Sequence, residues 1–205
     1  TTNMNVCIIG AGAIGGFIGT RLARAGGHTV SDIARGATLA ALRQHGWRLR
    51  QGAEQLSAPA NASDRASDLG AQDLVVIAVK GPAFTEVARG IAPLLGRQTM
   101  VMPAMNGVPW WFGRGVPALD NVTLESVDPG GEIARAIPVA TVIGCVVHAS
   151  TFTSEPGLVE HKMGQGLIVG EPGGGTSARV RELGGLLQQA GFDVTVSADV
   201  RKDVW

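Results

Sequence analysis

The chain places Gly10-Ala11-Gly12-Ala13-Ile14-Gly15 between two very different apolar patterns. Before it runs the unbroken apolar stretch Val6-Cys7-Ile8-Ile9, opened by Asn5; after it, Ile14, Phe17, Ile18, Leu22 and Ala25 recur at three- and four-residue spacing. A continuous apolar run suits a strand covered on both faces of a parallel sheet, whereas the second spacing defines one face of a helix. A buried strand must therefore turn into a helix within a few residues, and glycine is the residue that permits both the turn and the close approach. The helix is predicted over Ala13–Ala25, with Gly26-Gly27 as its stop.

The same alternation continues. His28–Ala34 reads as a second strand, Ala37–His45 as a helix with Leu39 and Leu42 on one face, and Trp47–Ala58 as a short hairpin. Leu74–Val79 is the most apolar strand; Phe84–Leu95 is predicted as a helix despite Pro93, and Thr99–Met102 as another buried strand. Beyond these, Thr141–Val147 reads as a strand, Leu158–Met163 with Gly166–Val169 as a hairpin, Ser177–Ala190 as a helix and Phe192–Val196 as a final strand. Strands alternating with helices across short connections predict right-handed β-α-β units, hence an α/β, doubly wound, mostly parallel sheet. Trp110 and Trp111 are expected to pack on it, and Gly173-Gly174-Gly175-Thr176 to link flexibly into the next helix.

Composition removes several classes. With 17 basic and 17 acidic side chains in 205 residues, no like-charge run and 4% aromatics, the chain lacks the electrostatic footprint of a nucleic-acid partner. Its apolar stretches are too short or too glycine-rich for the ~20 residues of a membrane span, and no basic segment precedes them as in a secretion signal, so a cytoplasmic location is expected. Cys7 and Cys145 sit in apolar runs and read as buried free thiols rather than a disulfide. The four histidines show no metal-ligand spacing.

A G-x-G-x-x-G turn after a buried strand and before a helix is the setting of a Rossmann-like dinucleotide site. Gly10 makes the turn, Gly12 admits a pyrophosphate, and Gly15 packs helix on sheet; Gly16 and Gly19 are expected to serve packing alone. At the end of the second strand an acid selects a ribose 2′-hydroxyl and an arginine a 2′-phosphate. Arg35 stands at that turn and favours the phosphorylated cofactor, with Asp32 as the ribose reader if the strand ends earlier. Lys80 and Asn106 each follow a buried strand on the ligand-binding edge of the sheet, where a cation and a carboxamide suit a nicotinamide ribose and a polar substrate.

Gly10–Gly16, Ala34-Arg35-Gly36, Val79-Lys80 and Asn106-Gly107, in this order, resemble the ketopantoate reductases, as do Gly144–His148, Glu155-Pro156-Gly157 and Gly170-Glu171-Pro172. The resemblance implies reduction of 2-dehydropantoate to (R)-pantoate with NADPH, toward pantothenate and coenzyme A. It assigns Gly10, Ala11, Gly12, Ala13, Ile14 and Gly15 to the pyrophosphate and Arg35 to the 2′-phosphate. Lys80, Asn106 and Ser150 fall to the cofactor, with Asn106 also reaching the substrate and Lys80 supporting it. Met105 departs from the Gln or His usual there, and Asp32 from a strand that usually lacks an acid.

Ser197 is expected to cap a last helix whose apolar face is Val200, Val204 and Trp205, and the absence of any stop signal predicts continuation. The expected division is a dinucleotide-binding domain over 1–197 and the first turns of an all-helical domain over 198–205. The family's general-acid lysine follows a tryptophan matched by Trp205 and so falls outside the chain, which predicts that these residues alone are inactive. Apolar surface around Trp205 predicts self-association, with a homodimer as the simplest partner arrangement. Two alternatives stay open: an NADP-dependent reductase of another keto acid, and a non-catalytic dinucleotide-binding regulatory module.

Overall fold

The computed structural model describes residues 3–205 and divides them between two five-stranded sheets with a helix held between them. In chain order the first elements are β1 (Asn5–Ile9), α1 (Ala13–Ala25), β2 (Thr29–Ile33), α2 (Gly36–His45), β3 (Trp47–Gln51), β4 (Glu54–Ala58) and β5 (Asn61–Ser63). There follow β6 (Gln72–Ile77), α3 (Gly81–Gly90), β7 (Leu95–Pro103), α4 (Glu132–Ala136), β8 (Gly144–Glu155), β9 (Leu158–Gly170), α5 (Ala178–Gln189), β10 (Asp193–Ser197) and α6 (Val200–Val204). Among the described residues no helix is long and apolar enough to cross a membrane.

The first sheet, ordered β5-β2-β1-β6-β7, is parallel throughout. Val6, Ile8, Leu74 and Val76 face one apolar cluster with α1, while Cys7, Ile9, Val75 and Ile77 face another with Phe84, Trp111 and Ile133. Both faces are covered, which is why these strands read as unbroken apolar runs. Cys7 and Cys145 are free and lie in different clusters, and burial pushes the Cys145 thiol up to about 12.

The second sheet is mixed. The long strand β9 pairs antiparallel with β8 along one side; its other side is shared by β3, opposite Leu158–His161, and β10, opposite Gly166–Gly170. Between those two partners the ladder is interrupted, and Arg21 of α1 fills the gap. Its guanidinium donates to Gln51 Oε1 at 2.6 Å, to Gly191 O at 2.8 Å and to Gln165 Oε1 at 3.2 Å, and lies over the Phe17 ring. This explains a buried arginine in the middle of an apolar helix face, since each desolvated N–H group that lacks water finds an acceptor.

Three expectations are corrected. Leu158–Met163 and Gly166–Val169 belong to one strand: Gly164, at φ +76°, makes a bulge against His148 and not a turn, and the hairpin turns at Pro156-Gly157. The helix expected over Phe84–Leu95 begins at Gly81, where Pro82 suits the first turn, and stops at Gly90 ahead of Pro93. The last helix is capped at Asp199; Ser197 ends β10, and its hydroxyl accepts from the Asp199 N–H at 3.1 Å.

Helix α1 touches both sheets, so its glycines carry the packing. A Cβ on Gly16 would sit 2.5 Å from Val159 Cγ2, and one on Gly19 2.6 Å from the Trp47 ring, whose indole N–H is anchored to Val30 O. Gly185 on α5 faces open space. Gly19→Ala is therefore expected to cost about 1–3 kcal/mol, whereas Gly185→Ala gains about 0.5–1 kcal/mol by propensity alone. Thermal or urea unfolding of the two variants checks both signs.

Candidate functional site

The order of the first sheet reverses at β1, and the C-terminal ends of β1, β2 and β6 converge there on one crevice. Gly10 turns the chain out of β1 at φ +93°, with its Cα so close to β6 that a Cβ would stand 2.7 Å from Val79 Cγ1. At Gly15 a Cβ would be driven into the Gly10 carbonyl oxygen, so only glycine lets α1 start this near the strand. Gly12 is different: nothing lies within 4 Å of where its Cβ would be, and it is exposed.

Gly12 is also the N-cap of α1, with no side-chain cap and no acid in the first turn. The first helical bond is from Gly16 N to Gly12 O at 2.8 Å, so the N–H groups of Ala13, Ile14 and Gly15 have no partner among the described residues. Uncapped N–H groups at the positive end of a thirteen-residue helix form an anion-binding surface. The open space at Gly12 leaves room for a phosphate to approach them.

Beside this terminus lies a cavity of about 300 Å³, floored by Ile9, Ile33 and Val79. That volume is at the lower end of the range for small-molecule sites. Ala83, Glu86, Val87 and Gly90 of α3 form its wall, being successive residues of one helix face. Arg35, the N-cap of α2, crosses its mouth and donates from Nη1 to Glu86 Oε1 at 2.8 Å, and Asp64 lines the same cavity. Glu86 and Asp64 escaped the sequence reading. The signal for Glu86 was present in the small-residue helix face after Lys80, one turn of which is acidic.

Lys80 caps α3 and is exposed, and its ammonium has no partner among the described residues. Asn106 lies in the loop after β7. Its Nδ2 donates to Val147 O and its Oδ1 accepts from Val147 N, both at 3.0 Å, tying that loop to β8. A carboxamide has two N–H groups and two lone pairs on oxygen, so one of each is left unspent in a fixed orientation. Ser150 is exposed on β8, three residues past Val147, or ~10 Å along the strand. Trp110 and Trp111 are both buried, and Trp110 with Met105 also lines a second cavity of about 320 Å³ beyond the start of α3.

Asp32 does not reach the crevice. It pairs in register with Ile8, on the α1 face of the sheet, and alternation along β2 sends Ile33 to the cavity instead. The side chain is fully buried, and neither carboxylate oxygen has a hydrogen-bond partner. Desolvation pushes its pKa up to about 8.

A glycine turn into an uncapped helix, at the reversal point of a parallel sheet, defines an α/β domain of the dinucleotide-binding class. The family model described as "Ketopantoate reductase PanE/ApbA" matches residues 6–174, and the chain belongs to that family, whose members are dinucleotide-dependent oxidoreductases. A 2-dehydropantoate 2-reductase of Mesorhizobium japonicum is 43% identical over 98% of this chain and 62% of its own length. The crystal structure of a protein assigned to the ketopantoate reductases, from Ralstonia solanacearum MolK2, superposes with a TM-score of 0.96 at 46% identity, over 100% of this chain and 63% of that one. The chain thus spans about three fifths of the length of these relatives. A D-mandelate dehydrogenase in complex with NADH and anilino(oxo)acetate shares the fold, with a TM-score of 0.78 at 18% identity, over 98% of this chain and 59% of that one.

The raised pKa of Asp32 has a direction in stability. Between its ordinary 3.8 and about 8 the unfolded chain loses this proton and the folded chain keeps it, so stability falls as pH rises through that window. The slope approaches about 1.4 kcal/mol per pH unit and vanishes above the folded value. Asp32→Asn is expected to remove this component, its advantage over the parent growing from pH 5 to 8. Denaturant unfolding of both proteins across that range measures it, and a constant difference would contradict the assignment.

Proposed function

We propose that this chain is the NADPH-binding part of a 2-dehydropantoate 2-reductase, which reduces 2-dehydropantoate to (R)-pantoate on the route to pantothenate and coenzyme A. The observation that carries the reading is the uncapped N-terminus of α1, open at Gly12, beside a cavity whose mouth holds Arg35. The turn from Gly10 to Gly15, through Ala11, Gly12, Ala13 and Ile14, receives the pyrophosphate. The cavity takes the adenosine, and the guanidinium of Arg35 takes the 2′-phosphate.

When bound, the reduced nicotinamide supplies the hydride for the keto carbon. The chain's own residues orient and neutralise. Asn106, held by Val147, presents its remaining N–H and lone pair to the cofactor ribose and the substrate, and Ser150 lies further along the same strand. Lys80 brings an unpaired ammonium to the same edge, where it favours an anionic substrate and developing negative charge. We assign the proton donor to a helical domain that begins near residue 198, so the 205 residues alone bind dinucleotide without turnover.

Reduction of another keto acid is the second reading. It is favoured by Met105, which lies against the apolar second cavity where the resemblance implies a polar residue. Turnover of 2-dehydropantoate against other keto acids by a chain carrying both domains separates the two.

The first test is calorimetric titration of NADPH and NADH into the chain and its variants. Arg35→Ala is expected to weaken NADPH about ten- to a hundredfold and to leave NADH nearly unchanged; an intact preference would refute the phosphate assignment. Gly12→Ala is expected to fold as well as the parent and yet weaken both dinucleotides by about tenfold or more, because its methyl group occupies the approach to the helix terminus.

A further inference from the structure

The mouth of the nucleoside cavity carries more negative than positive charge. Among the described residues Arg35 is the one cation lining it, against Glu86 and Asp64. Glu86 also holds the guanidinium already: Oε1 sits 2.8 Å from Nη1, reaching from α3 across to the turn after β2. Both side chains are largely exposed, at 74% and 59%, so the pair adds little to stability. Its consequence lies in binding.

We infer that Glu86 is a specificity-determining residue that competes with a 2′-phosphate for Arg35 and limits the preference of this chain for NADPH over NADH. The inference rests on the reading of the crevice as a dinucleotide site with Arg35 as its phosphate contact. A 2′-phosphate carries up to two negative charges, and to reach the guanidinium it must either displace the Glu86 carboxylate from Nη1 or share the guanidinium with it at close range. Either way the phosphorylated cofactor meets a cost that a free 2′-hydroxyl does not, because the hydroxyl brings no charge and needs no fork of donors. The geometry of α3 makes this a fixed feature of the site. Glu86 shares its helix face with Ala83, Val87 and Gly90, which wall the same cavity, so its backbone is held at the mouth and its carboxylate stays within reach of Arg35.

The experiment is titration of NADPH, NADH, adenosine 2′,5′-bisphosphate and AMP into the parent chain, Glu86→Gln and Arg35→Ala, by calorimetry at low and high salt. Glutamine keeps the length and an oxygen acceptor, and at an exposed position it leaves folding unchanged, which thermal unfolding verifies. Glu86→Gln is expected to tighten NADPH and the 2′,5′-bisphosphate by about three- to tenfold at low salt, with NADH and AMP within about twofold of the parent. The gain should shrink as salt rises.

An unchanged or reduced ratio of NADPH to NADH affinity in Glu86→Gln, with Arg35→Ala still abolishing the preference, overturns this inference and leaves the site reading standing. A preference indifferent to Arg35→Ala overturns both. The paired fragments keep the readout on the adenosine end of the site, independent of any residue near the nicotinamide.

Discussion

The crevice exists because α1 begins almost in contact with the strand that precedes it. The Gly10 carbonyl and the Gly15 Cα lie where any Cβ would collide, and Gly10 itself is pressed against Val79 of the neighbouring strand connection. This proximity aims the first turn of α1 along the sheet edge, leaving the N–H groups of Ala13, Ile14 and Gly15 without partners among the described residues. The same helix cannot relax away from the sheet, because its far side is packed by Val159 and Trp47 of the second sheet. The helix is thus fixed from two directions, and the second sheet serves as its backing. Arg21 closes the one gap in that backing with three side-chain and main-chain acceptors.

The polar groups around the crevice differ in how firmly they are held. Asn106 is bound at both ends of its amide by one residue of β8, so its remaining hydrogen-bonding capacity has a set direction. Arg35 is held by a single exposed ion pair, and Lys80 by nothing among the described residues. A rigid amide suits discrimination at a reacting centre, where misplacement is costly. Mobile cations suit phosphate and carboxylate recognition, where charge matters more than angle. The gradient from Asn106 to Arg35 therefore runs from the reacting end of the proposed site toward its adenosine end.

The sequence disclosed the elements that repeat a strong local signal. The Ala13–Ala25 helix matches its expected bounds because periodicity, glycine stop and glycine turn agree. The fold class was legible for the same reason. What stayed hidden is what depends on pairing: the three-residue β5 has too few residues for a pattern, and the division of strands between two sheets is decided by which edges meet. Gly164 misled because glycine marks a turn and a bulge alike, and only the partner strand decides between them. Among candidate site residues, those next to strand ends were nominated from position alone. Glu86 was not, since it reaches the crevice from a helix face that no strand-end rule indicates.

The two acids nearest the cofactor question separate the rule from its physical content. A carboxylate at the end of the second strand is diagnostic only because that position puts charge beside a ribose hydroxyl. Asp32 has the expected sequence distance, but the pleat turns it beneath α1, where burial favours its neutral form and it touches nothing in the crevice. Glu86 is far from that strand in sequence, yet its oxygen rests on the guanidinium that a 2′-phosphate would need. On the proposed reading of Arg35 as the phosphate contact, an acid bears on the choice between the two dinucleotides through its distance from that guanidinium, whatever strand or helix supplies it. Comparisons among relatives of this chain should accordingly follow the carboxylates that share a cavity with the arginine, and not the residue type at the close of the second strand.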